Sequence, residues 1–478
     1  MDNNTKNNLL SGILWSSADK LITQIGYLLV TLFIARVIGP DAFGLIGMLS
    51  IFILLSESII NNGFSQALIQ RSHNATENDY STIFYINIIW GVFIYTILFF
   101  SAPLIADFYH KIELINISRV LFLVIIINSF SVVIRAKLII KVDFKSQAIS
   151  NVIATLLGSI LSIYLVFNNY SYWAFVFLIL SKAIFTNIFL YFFSRWIPKL
   201  IFSKQSFKEL FRFGSNLMIA GFFATLVNNL YIVLIGRYFN VSNVGYFSQA
   251  TNLTNFVSQF ISSTLQGVTY PILTSIKEQR DKLISLYIQL LSVTMLISFP
   301  IFSGFAAISD TFTIAFLGEE WLPAVPIIKI LCFARMITPI SAINMNILNA
   351  VGRSDLFLKT DLSKLPLILI SIFFAIPYGM KGMAIAILTT TLISFFINAY
   401  YPKKLFNFGA LDQLIISKKY ILSSVIMYIS IFFISLSNPW LELFIKITTG
   451  MIVYILLLLL FKDRILITIM YSVKNKFL

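Results

Sequence analysis

The chain has 478 residues, of which 58% are hydrophobic and only 12% charged, and its mean hydropathy is +0.88. A water-soluble surface needs more polar side chains than this, so lipid is the solvent for most of the chain. The net charge of +15 comes from bases scattered between long apolar runs, which excludes a continuous basic stripe for nucleic acid.

Cysteine and histidine are too rare for a metal site. The single cysteine, Cys332, excludes an intrachain disulfide and a thiolate cluster, while His73 and His110 are far apart in the sequence. We therefore expect no metal and no cofactor. The polar start lacks a basic segment and a small-residue cleavage site, so no removable signal peptide is expected.

Apolar runs long enough to cross a bilayer recur along the chain. Crossing about 30 Å of hydrocarbon takes about 20 residues in a helix, and these runs lack the ten-residue alternation of a barrel strand. The sequence therefore predicts an all-α polytopic membrane protein of about fourteen transmembrane helices. They are predicted at 11–37, 42–62, 81–105, 115–138, 147–168, 171–193, 211–236, 243–268, 283–307, 323–350, 357–377, 380–401, 418–436 and 440–461.

The distribution of basic residues predicts the orientation. With the amino terminus in the cytoplasm, 25 of the 35 Lys and Arg residues fall on the cytoplasmic side and seven on the other. The remaining three, Lys20, Lys182 and Arg335, lie inside predicted helices. Because basic loops stay in the cytoplasm, both termini are expected there.

The start of the second half repeats the start of the first. Residues 34–48 read IARVIGPDAFGLIGM and residues 235–249 read IGRYFNVSNVGYFSQ, so Arg36 and Arg237 each precede a glycine, Gly44 or Gly245, by eight positions. About six helices separate the copies, which predicts two pseudo-symmetric six-helix lobes with a cleft between them. The predicted domains are 1–200, 201–405 and 406–478, the last holding two additional helices and a cytoplasmic tail.

Polar residues inside the predicted helices are candidates for a substrate cavity. A charge at a helix centre costs about 2.5–3.5 kcal/mol on insertion scales, so its retention favours a functional role. Lys20, Gln24 and Tyr27 follow a helical spacing, and Lys182 and Arg335 are further buried cations suited to an anionic head group. The whole candidate set, in which structural ion pairing is the competing interpretation, is Asp19, Lys20, Gln24, Tyr27, Glu57, Asn61, Lys182, Asn228, Asn229, Arg335 and Asn346.

Arg36 and Arg237 lie at matched ends of the first helix in each repeat. One hypothesis makes them a symmetric pair at an outer gate, and the alternative is anchoring at the membrane interface.

Several segments, in order and spacing, resemble the multidrug/oligosaccharidyl-lipid/polysaccharide exporter superfamily. Within it the chain is most similar to the Wzx-type polysaccharide flippases, near the colanic-acid and teichuronic-acid exporters. The matching segments are Trp15-Ser16, ARVIGPDAFGLIGM from Ala35, ALIQR from Ala67, APLIADFY from Ala102, IGRYF from Ile235, GYFSQA from Gly245, Tyr270-Pro271, WLPAVPIIKILC from Trp321 and NILNAVGRSDLFLK from Asn346.

This resemblance implies a flippase, not an enzyme. The implied substrate is an undecaprenyl-diphosphate-linked oligosaccharide of the O-antigen or exopolysaccharide type, moved outward across a bacterial plasma (inner) membrane. The implied partners are that lipid-linked glycan, the bilayer, and a polysaccharide polymerase with a chain-length regulator.

The sequence leaves the energy source and three other functions open. No phosphate-binding loop of the GxxxxGK[ST] type occurs, so the membrane potential or counter-transport of H⁺ or Na⁺ through Asp19 or Glu57 is the hypothesis for coupling. A drug/cation antiporter would share the fold, but buried cations suit an anionic cargo better. A membrane component of polysaccharide polymerisation would need a large outer catalytic loop, and a non-transporting scaffold would leave the buried charges unexplained.

Overall fold

A computed structural model describes residues 3–62, 64–71, 75–276 and 278–477. Side chains are described within these ranges except at 3–21, 61–62, 70, 212–213, 216–217, 220, 263–268, 270–272, 274–275, 469 and 472–477. The side chains of the candidates Asp19, Lys20 and Asn61 therefore lie outside the described part. Throughout the described ranges the regular structure is helical and contains no strand.

The chain forms two compact units, Met1–Gly245 and Tyr246–Leu478. The helices of the first unit are α1 (Asn3–Asn62), α2 (Phe64–Gln70), α3 (Glu77–Tyr109), α4 (Leu114–Leu121), α5 (Leu123–Ser129), α6 (Val132–Ile140), α7 (Phe144–Phe167), α8 (Tyr172–Ser194) and α9 (Lys204–Tyr238). Helix α10 (Val241–Ser275) begins in this unit and continues into the next.

The second unit continues with α11 (Arg280–Phe316), α12 (Val325–Ala350), α13 (Ser354–Ala375), α14 (Gly379–Phe406), α15 (Ala410–Phe432), α16 (Pro439–Leu460) and α17 (Arg464–Phe477). Its core lies where α11, α12, α15 and α16 meet, around Tyr287, Ile343, Tyr420 and Leu458, all of which are fully buried. Residues 464–477 form a short helix where the sequence predicted only a tail.

Helix α1 contains two membrane crossings joined at a sharp break. Gly39 has φ 77°, a left-handed conformation that only glycine adopts without strain, and Pro40 follows with no backbone N–H to continue the ladder. The turn at Gly39 and Pro40 therefore separates a crossing that ends near Val37 from one that begins near Asp41. These match the predicted helices 11–37 and 42–62.

The described residues contain ten segments that are long and apolar enough to cross a membrane. Two of them, Ile22–Ile69 and Ser354–Phe406, hold two helices each, the second pair being α13 and α14. Helices α9 and α10, of 35 residues each, are also long enough to cross a bilayer. Counted in this way, fourteen crossings result, so the all-α polytopic fold predicted from the sequence is confirmed.

Candidate functional site

Two helices of the first unit bring a partly buried cation against an aromatic ring. The Nζ atom of Lys182, in α8, lies 4.0 Å from the ring centroid of Tyr27, in the first crossing of α1. A cation over the face of an aromatic ring is attracted by the ring quadrupole, more strongly where water is excluded. Lys182 and Tyr27, both selected from the sequence, are therefore in direct contact.

Close packing of α7 against α8 fixes the backbone of Lys182. A Cβ atom at Gly158 in α7 would lie 3.1 Å from the backbone nitrogen of Lys182 and 3.1 Å from the hydroxyl of Ser181. The absence of a side chain at Gly158 thus lets the two helices approach. The packing therefore holds the backbone from which the Lys182 side chain reaches the Tyr27 ring.

Glu57 completes a cluster around this pair. It lies in the second crossing of α1 and accepts a hydrogen bond of 2.9 Å from the side-chain amide of Asn128 in α5. The charge of Glu57 acts on Tyr27, and the guanidinium of Arg135 in α6 acts on Glu57. We call Tyr27, Glu57, Asn128, Arg135 and Lys182 the first-unit polar cluster.

Two members of this cluster were missed from the sequence. Asn128 lies in an apolar segment, where no helical pattern of polar residues points to it. Arg135 was one of the 25 bases assigned to the cytoplasmic side. The structure places Arg135 within α6, partly buried, and Asn128 at the penultimate position of α5. Both residues are far from Glu57 in the sequence, Asn128 by 71 positions, so no local sequence pattern predicts the contact.

Three further candidates of the first unit, Gln24, Asn228 and Asn229, have described side chains, and no described hydrogen bond joins them to this cluster. Gln24 and Asn228 are exposed, as a water-filled cavity would require of residues on its wall. Asn229 is partly buried and donates to the carbonyl of Thr225 at 2.8 Å, so one of its amide hydrogens is satisfied within α9.

Helix α12 carries the candidates of the second unit. Arg335 and Asn346 are both partly buried and lie eleven residues apart, or about 16 Å along the helix. The side-chain nitrogen of Asn346 has no hydrogen-bond partner among the described residues. A buried amide donor with no partner is costly, and it suits a position where a ligand or water completes the bond.

A different asparagine of α12 supports the core. The hydroxyl of Tyr287 donates to Asn344 Oδ1 at 2.5 Å, and the amide groups of Asn344 and Gln413 exchange hydrogen bonds of 3.0 and 3.1 Å. All three side chains are fully buried, and they join α11, α12 and α15. Asn346 was predicted as a cavity residue, whereas the buried role of Asn344, two residues earlier on the same helix, was not predicted from the sequence.

The two sequence repeats meet through a reciprocal backbone contact. A Cβ atom at Gly44 would lie 2.2 Å from the carbonyl oxygen of Val241, and one at Gly245 would lie 2.1 Å from the carbonyl oxygen of Pro40. Pro40 and Val241 are themselves matched, each four residues after the repeat arginine. The turn after the first crossing thus packs against the turn between α9 and α10 in a pseudo-twofold arrangement.

Polar contacts surround this glycine contact. The Ser242 hydroxyl donates to the carboxylate of Asp41, again between matched turns. Arg237 donates to the carbonyl of Phe108 at 2.6 Å and contacts His110, so it joins the end of α3 to the end of α9. These contacts are with the turn after α3, whereas a pairing with Arg36 remains a prediction.

A polytopic all-α membrane transporter is the class that this fold defines. The family model described as "Polysaccharide biosynthesis protein" matches residues 33–326, and the chain belongs to that family. Among curated proteins it is similar to the teichuronic acid biosynthesis protein TuaB of Bacillus subtilis, with 28% identity over 85% of this chain and 86% of the relative. It is also similar to the lipopolysaccharide biosynthesis protein WzxC of Escherichia coli, with 24% identity over 81% and 80%.

Among solved structures, the fold is similar to that of the lipid II flippase MurJ in an inward closed conformation. The TM-score is 0.75 at 15% identity, covering 94% of this chain and 99% of the other. The family assignment made from the sequence segments is thereby confirmed. These comparisons support transport and not covalent catalysis, which agrees with the expectation from the sequence.

Proposed function

We propose that the protein flips lipid-linked oligosaccharide repeat units, carried on undecaprenyl diphosphate, from the cytoplasmic to the outer leaflet of a bacterial plasma membrane. The observation that carries the proposal is membership of the polysaccharide biosynthesis family over residues 33–326. A relative named for teichuronic acid synthesis, similar over most of both chains, and the flippase-like fold support the same substrate class.

The orientation belongs to the proposal. Fourteen crossings return the chain to the side on which it began, and the excess of Lys and Arg on that side favours the cytoplasm for both termini. The turns at Pro40 and Val241 then lie at the outer face. In the same frame the proposed lobes are 1–200 and 201–405, followed by residues 406–478, and a polymerase and chain-length regulator are proposed partners.

The first-unit polar cluster has the chemistry to receive a diphosphate. Lys182 and Arg135 contribute two cations, against the single carboxylate of Glu57. In a low-dielectric setting this positive excess attracts an anionic head group, and Lys182 binds it while remaining on the Tyr27 ring. Lys20 and Arg335 are proposed to act in the same way, while Gln24, Asn61, Asn228, Asn229 and Asn346 offer donors and acceptors to sugar hydroxyls.

Alternating access requires a contact that closes one side and then breaks. The reciprocal contact of Gly44 with Val241 and of Gly245 with Pro40 is proposed to be the outer closure, with Arg36 and Arg237 one turn away. It combines backbone packing at the two glycines with the bond between Ser242 and Asp41, and the flanking side chains of Phe43, Val244 and Phe247 are buried. The proposal requires this contact to separate when the outer side opens.

The driving force is proposed to be electrical. A diphosphate with about two negative charges gains about 2.3 kcal/mol per charge per 100 mV on leaving a negative-inside cell. Counter-transport of H⁺ or Na⁺ through Asp19 or Glu57 is a further proposal. Collapsing each gradient separately in proteoliposomes distinguishes the two: flipping that responds to the membrane potential alone would remove ion coupling from the mechanism.

The test is leaflet-specific detection of the lipid-linked glycan in cells that lack the gene. The deletion is expected to trap the glycan in the cytoplasmic leaflet and deplete surface polysaccharide, with recovery from the wild-type gene. Lys182→Ala and Arg335→Ala are expected not to restore it, whereas Lys204→Ala, an exposed lysine at the start of α9, is expected to do so. Normal surface polysaccharide in the deletion strain would refute the proposal, provided no second flippase gene is present.

A further inference from the structure

A groove between α13 and α14 lies outside the proposed substrate path. Its volume is about 410 Å³. Its lining combines one lysine, small hydroxyl side chains and a run of aromatic and aliphatic side chains, namely Lys359, Thr360, Ser363, Phe396, Ile397, Tyr400 and Tyr401. The polar side chains come from α13 and the aromatic and aliphatic ones from α14, a combination that suits a lipid with a polar head group and apolar chains.

The groove follows helical spacing on both of its walls. On α14, Phe396, Tyr400 and Lys404 succeed one another every four residues, in the order apolar, amphipathic and charged toward the end of the helix at Phe406. On α13, Lys359 lies five residues from the start of the antiparallel helix, with Ser363 one turn further in. The charged ends of both walls therefore lie at the same end of the groove.

Tyrosine and lysine at this level mark the membrane interface. Tyr400 is 60% exposed and Phe396 50% exposed. Neighbouring side chains of the same two helices, such as Phe373, Phe374 and Ile393, are also strongly exposed and apolar. In a membrane protein such side chains contact acyl chains, and tyrosines sit at the head-group level. The groove therefore opens toward the bilayer.

The charge around the groove is unbalanced. Arg353 pairs with Asp355 at 2.9 Å, and Lys364 pairs with Asp361 at 2.5 Å. Lys359, Lys403 and Lys404 have no acidic partner within 4 Å in the part of the chain that the structure describes, and all three are exposed. Three lysines without carboxylates, next to an apolar groove, complement an anionic head group attached to acyl chains.

We propose that this groove binds an anionic phospholipid of the surrounding bilayer, with its phosphate at Lys359 and Lys404 and one acyl chain along Phe396 and Ile397. The occupant is a resident membrane lipid and not the transported glycan lipid. Because α13 and α14 belong to one unit, the bound lipid would join the two helices at their lysine-bearing ends. Transport would then depend on the anionic lipid content of the membrane.

The test is native mass spectrometry of the full-length protein in neutral detergent, titrated with phosphatidylglycerol or with phosphatidylcholine of the same acyl chains. The wild type is expected to retain phosphatidylglycerol preferentially. Lys359→Gln and Lys404→Gln are each expected to weaken that preference about fivefold, since a basic residue near a lipid surface contributes about that factor. Lys418→Gln, an exposed lysine on α15 outside the groove, is the matched control.

Three outcomes would overturn the proposal. One is a double variant, Lys359→Gln with Lys404→Gln, that keeps the wild-type preference for phosphatidylglycerol. A second is displacement of phosphatidylglycerol by inorganic phosphate at similar concentration, which would make the groove a phosphate site without lipid recognition. A third is displacement by undecaprenyl diphosphate at lower concentration than by phosphatidylglycerol, which would assign the groove to the substrate.

Discussion

The carbonyl oxygen of Val241 lies 2.2 Å from the position that a Cβ atom would take at Gly44. The repeat-related contact, from Gly245 to the carbonyl oxygen of Pro40, is equally short at 2.1 Å. Real Cβ atoms do not approach other atoms so closely, and in both cases the obstacle is backbone, which cannot rotate away. The contact therefore exists only while both positions are glycine.

Gly44→Ala is expected to open the proposed outer gate. Alanine stabilises a helix by about 1 kcal/mol relative to glycine. An opened gate in Gly44→Ala would therefore come from the lost contact with Val241 and not from a weaker helix. The measurement is labelling of an introduced cysteine, Asn228→Cys, by an impermeant maleimide from outside. Cys332, the sole native cysteine, is fully buried and contributes little background.

Gly26→Ala provides the control for this experiment. Gly26 lies in the first crossing of α1, and a Cβ atom there would meet nothing within 4 Å. Labelling at position 228 should rise severalfold in Gly44→Ala and in Gly245→Ala but stay at the wild-type rate in Gly26→Ala. Equal labelling of all three variants would mean that the glycine contact does not close the outer side.

Lys182 and Tyr27 give a prediction about substrate capture. Tyr27→Phe keeps the ring face that the ammonium contacts, so it is expected to retain most flipping activity, whereas Tyr27→Ala removes the ring. A partly desolvated cation–π pair contributes about 1–2 kcal/mol, which corresponds to about 5- to 30-fold. Flipping rates in proteoliposomes check the order: wild type, then Tyr27→Phe, then Tyr27→Ala, with Lys182→Gln lowest.

A purely structural role for this pair predicts another pattern. If Lys182 only holds α8 against α1, then Tyr27→Ala and Lys182→Gln would lower the melting temperature in parallel with activity. Substrate capture instead leaves the melting temperature nearly unchanged and raises the substrate concentration needed for half-maximal rate. Parallel losses of stability and activity would assign the pair to helix packing.

The helices were predictable because length and apolarity are local properties of the sequence. Each of the fourteen predicted segments corresponds to a crossing, and even the break at Gly39 and Pro40 falls in the predicted gap between 37 and 42. The segment 115–138, predicted as one helix, is divided into three short helices, α4 to α6. Their boundaries depend on packing against other helices, which no local pattern reports.

Side-chain partners were much less predictable. Lys446 was one of the seven bases assigned to the side opposite the cytoplasm, yet it is 6% exposed and bonds Glu442 at 2.5 Å and Thr311 at 3.0 Å. The i, i+4 spacing of Glu442 and Lys446 is visible in the sequence, but the contribution of Thr311 from α11 is not. Asn128 was missed for the same reason, since its partner Glu57 lies on another helix.

Asp463 links the last three helices and predicts a pH dependence. Its carboxylate is fully buried and accepts bonds from the Lys419 ammonium, the Leu466 N–H at 2.8 Å and the Tyr420 hydroxyl at 3.0 Å. Burial alone would raise the pKa of Asp463, but these donors outweigh it and hold the pKa below its usual range. The folded state therefore binds fewer protons than the unfolded one, whose carboxyl has a pKa of about 3.9.

Because folding lowers the pKa of Asp463, its carboxylate stabilises the folded state fully above about pH 4, and this stabilisation is lost as the pH falls through the folded-state pKa. Asp463→Asn is expected to cost about 1–3 kcal/mol at neutral pH and to flatten the acid side of the melting-temperature profile in detergent. Asp355→Asn, which removes an exposed pair with Arg353, should leave the stability close to that of the wild type. An unchanged acid slope in Asp463→Asn would contradict the assignment.

The buried ring of hydrogen bonds among Tyr287, Asn344 and Gln413 predicts strong coupling between α11, α12 and α15. Asn344→Leu leaves the proton of the buried Tyr287 hydroxyl and the amide oxygen of Gln413 without their partners, while the 3.2 Å bond from Gln413 Nε2 to the Tyr287 oxygen remains. The expected cost is about 1–3 kcal/mol for each unsatisfied group. Adding Tyr287→Phe removes one of those orphaned groups, so the double variant should be more stable than the sum of the single losses. Thr390→Val is the control, because the hydroxyl of Thr390 bonds only carbonyls of its own helix.

Comparing the stabilities of the single and double variants shows whether Tyr287, Asn344 and Gln413 act as one network or form independent hydrogen bonds. Melting of the single and double variants in detergent should give a coupling energy of about 0.5–3 kcal/mol for Tyr287 with Asn344. Additive losses would mean that each side chain is satisfied separately. Because α15 is one of the two helices that follow the proposed twelve-helix core, a large coupling would also mean that this helix is a structural part of the transporter unit and not an independent addition to it.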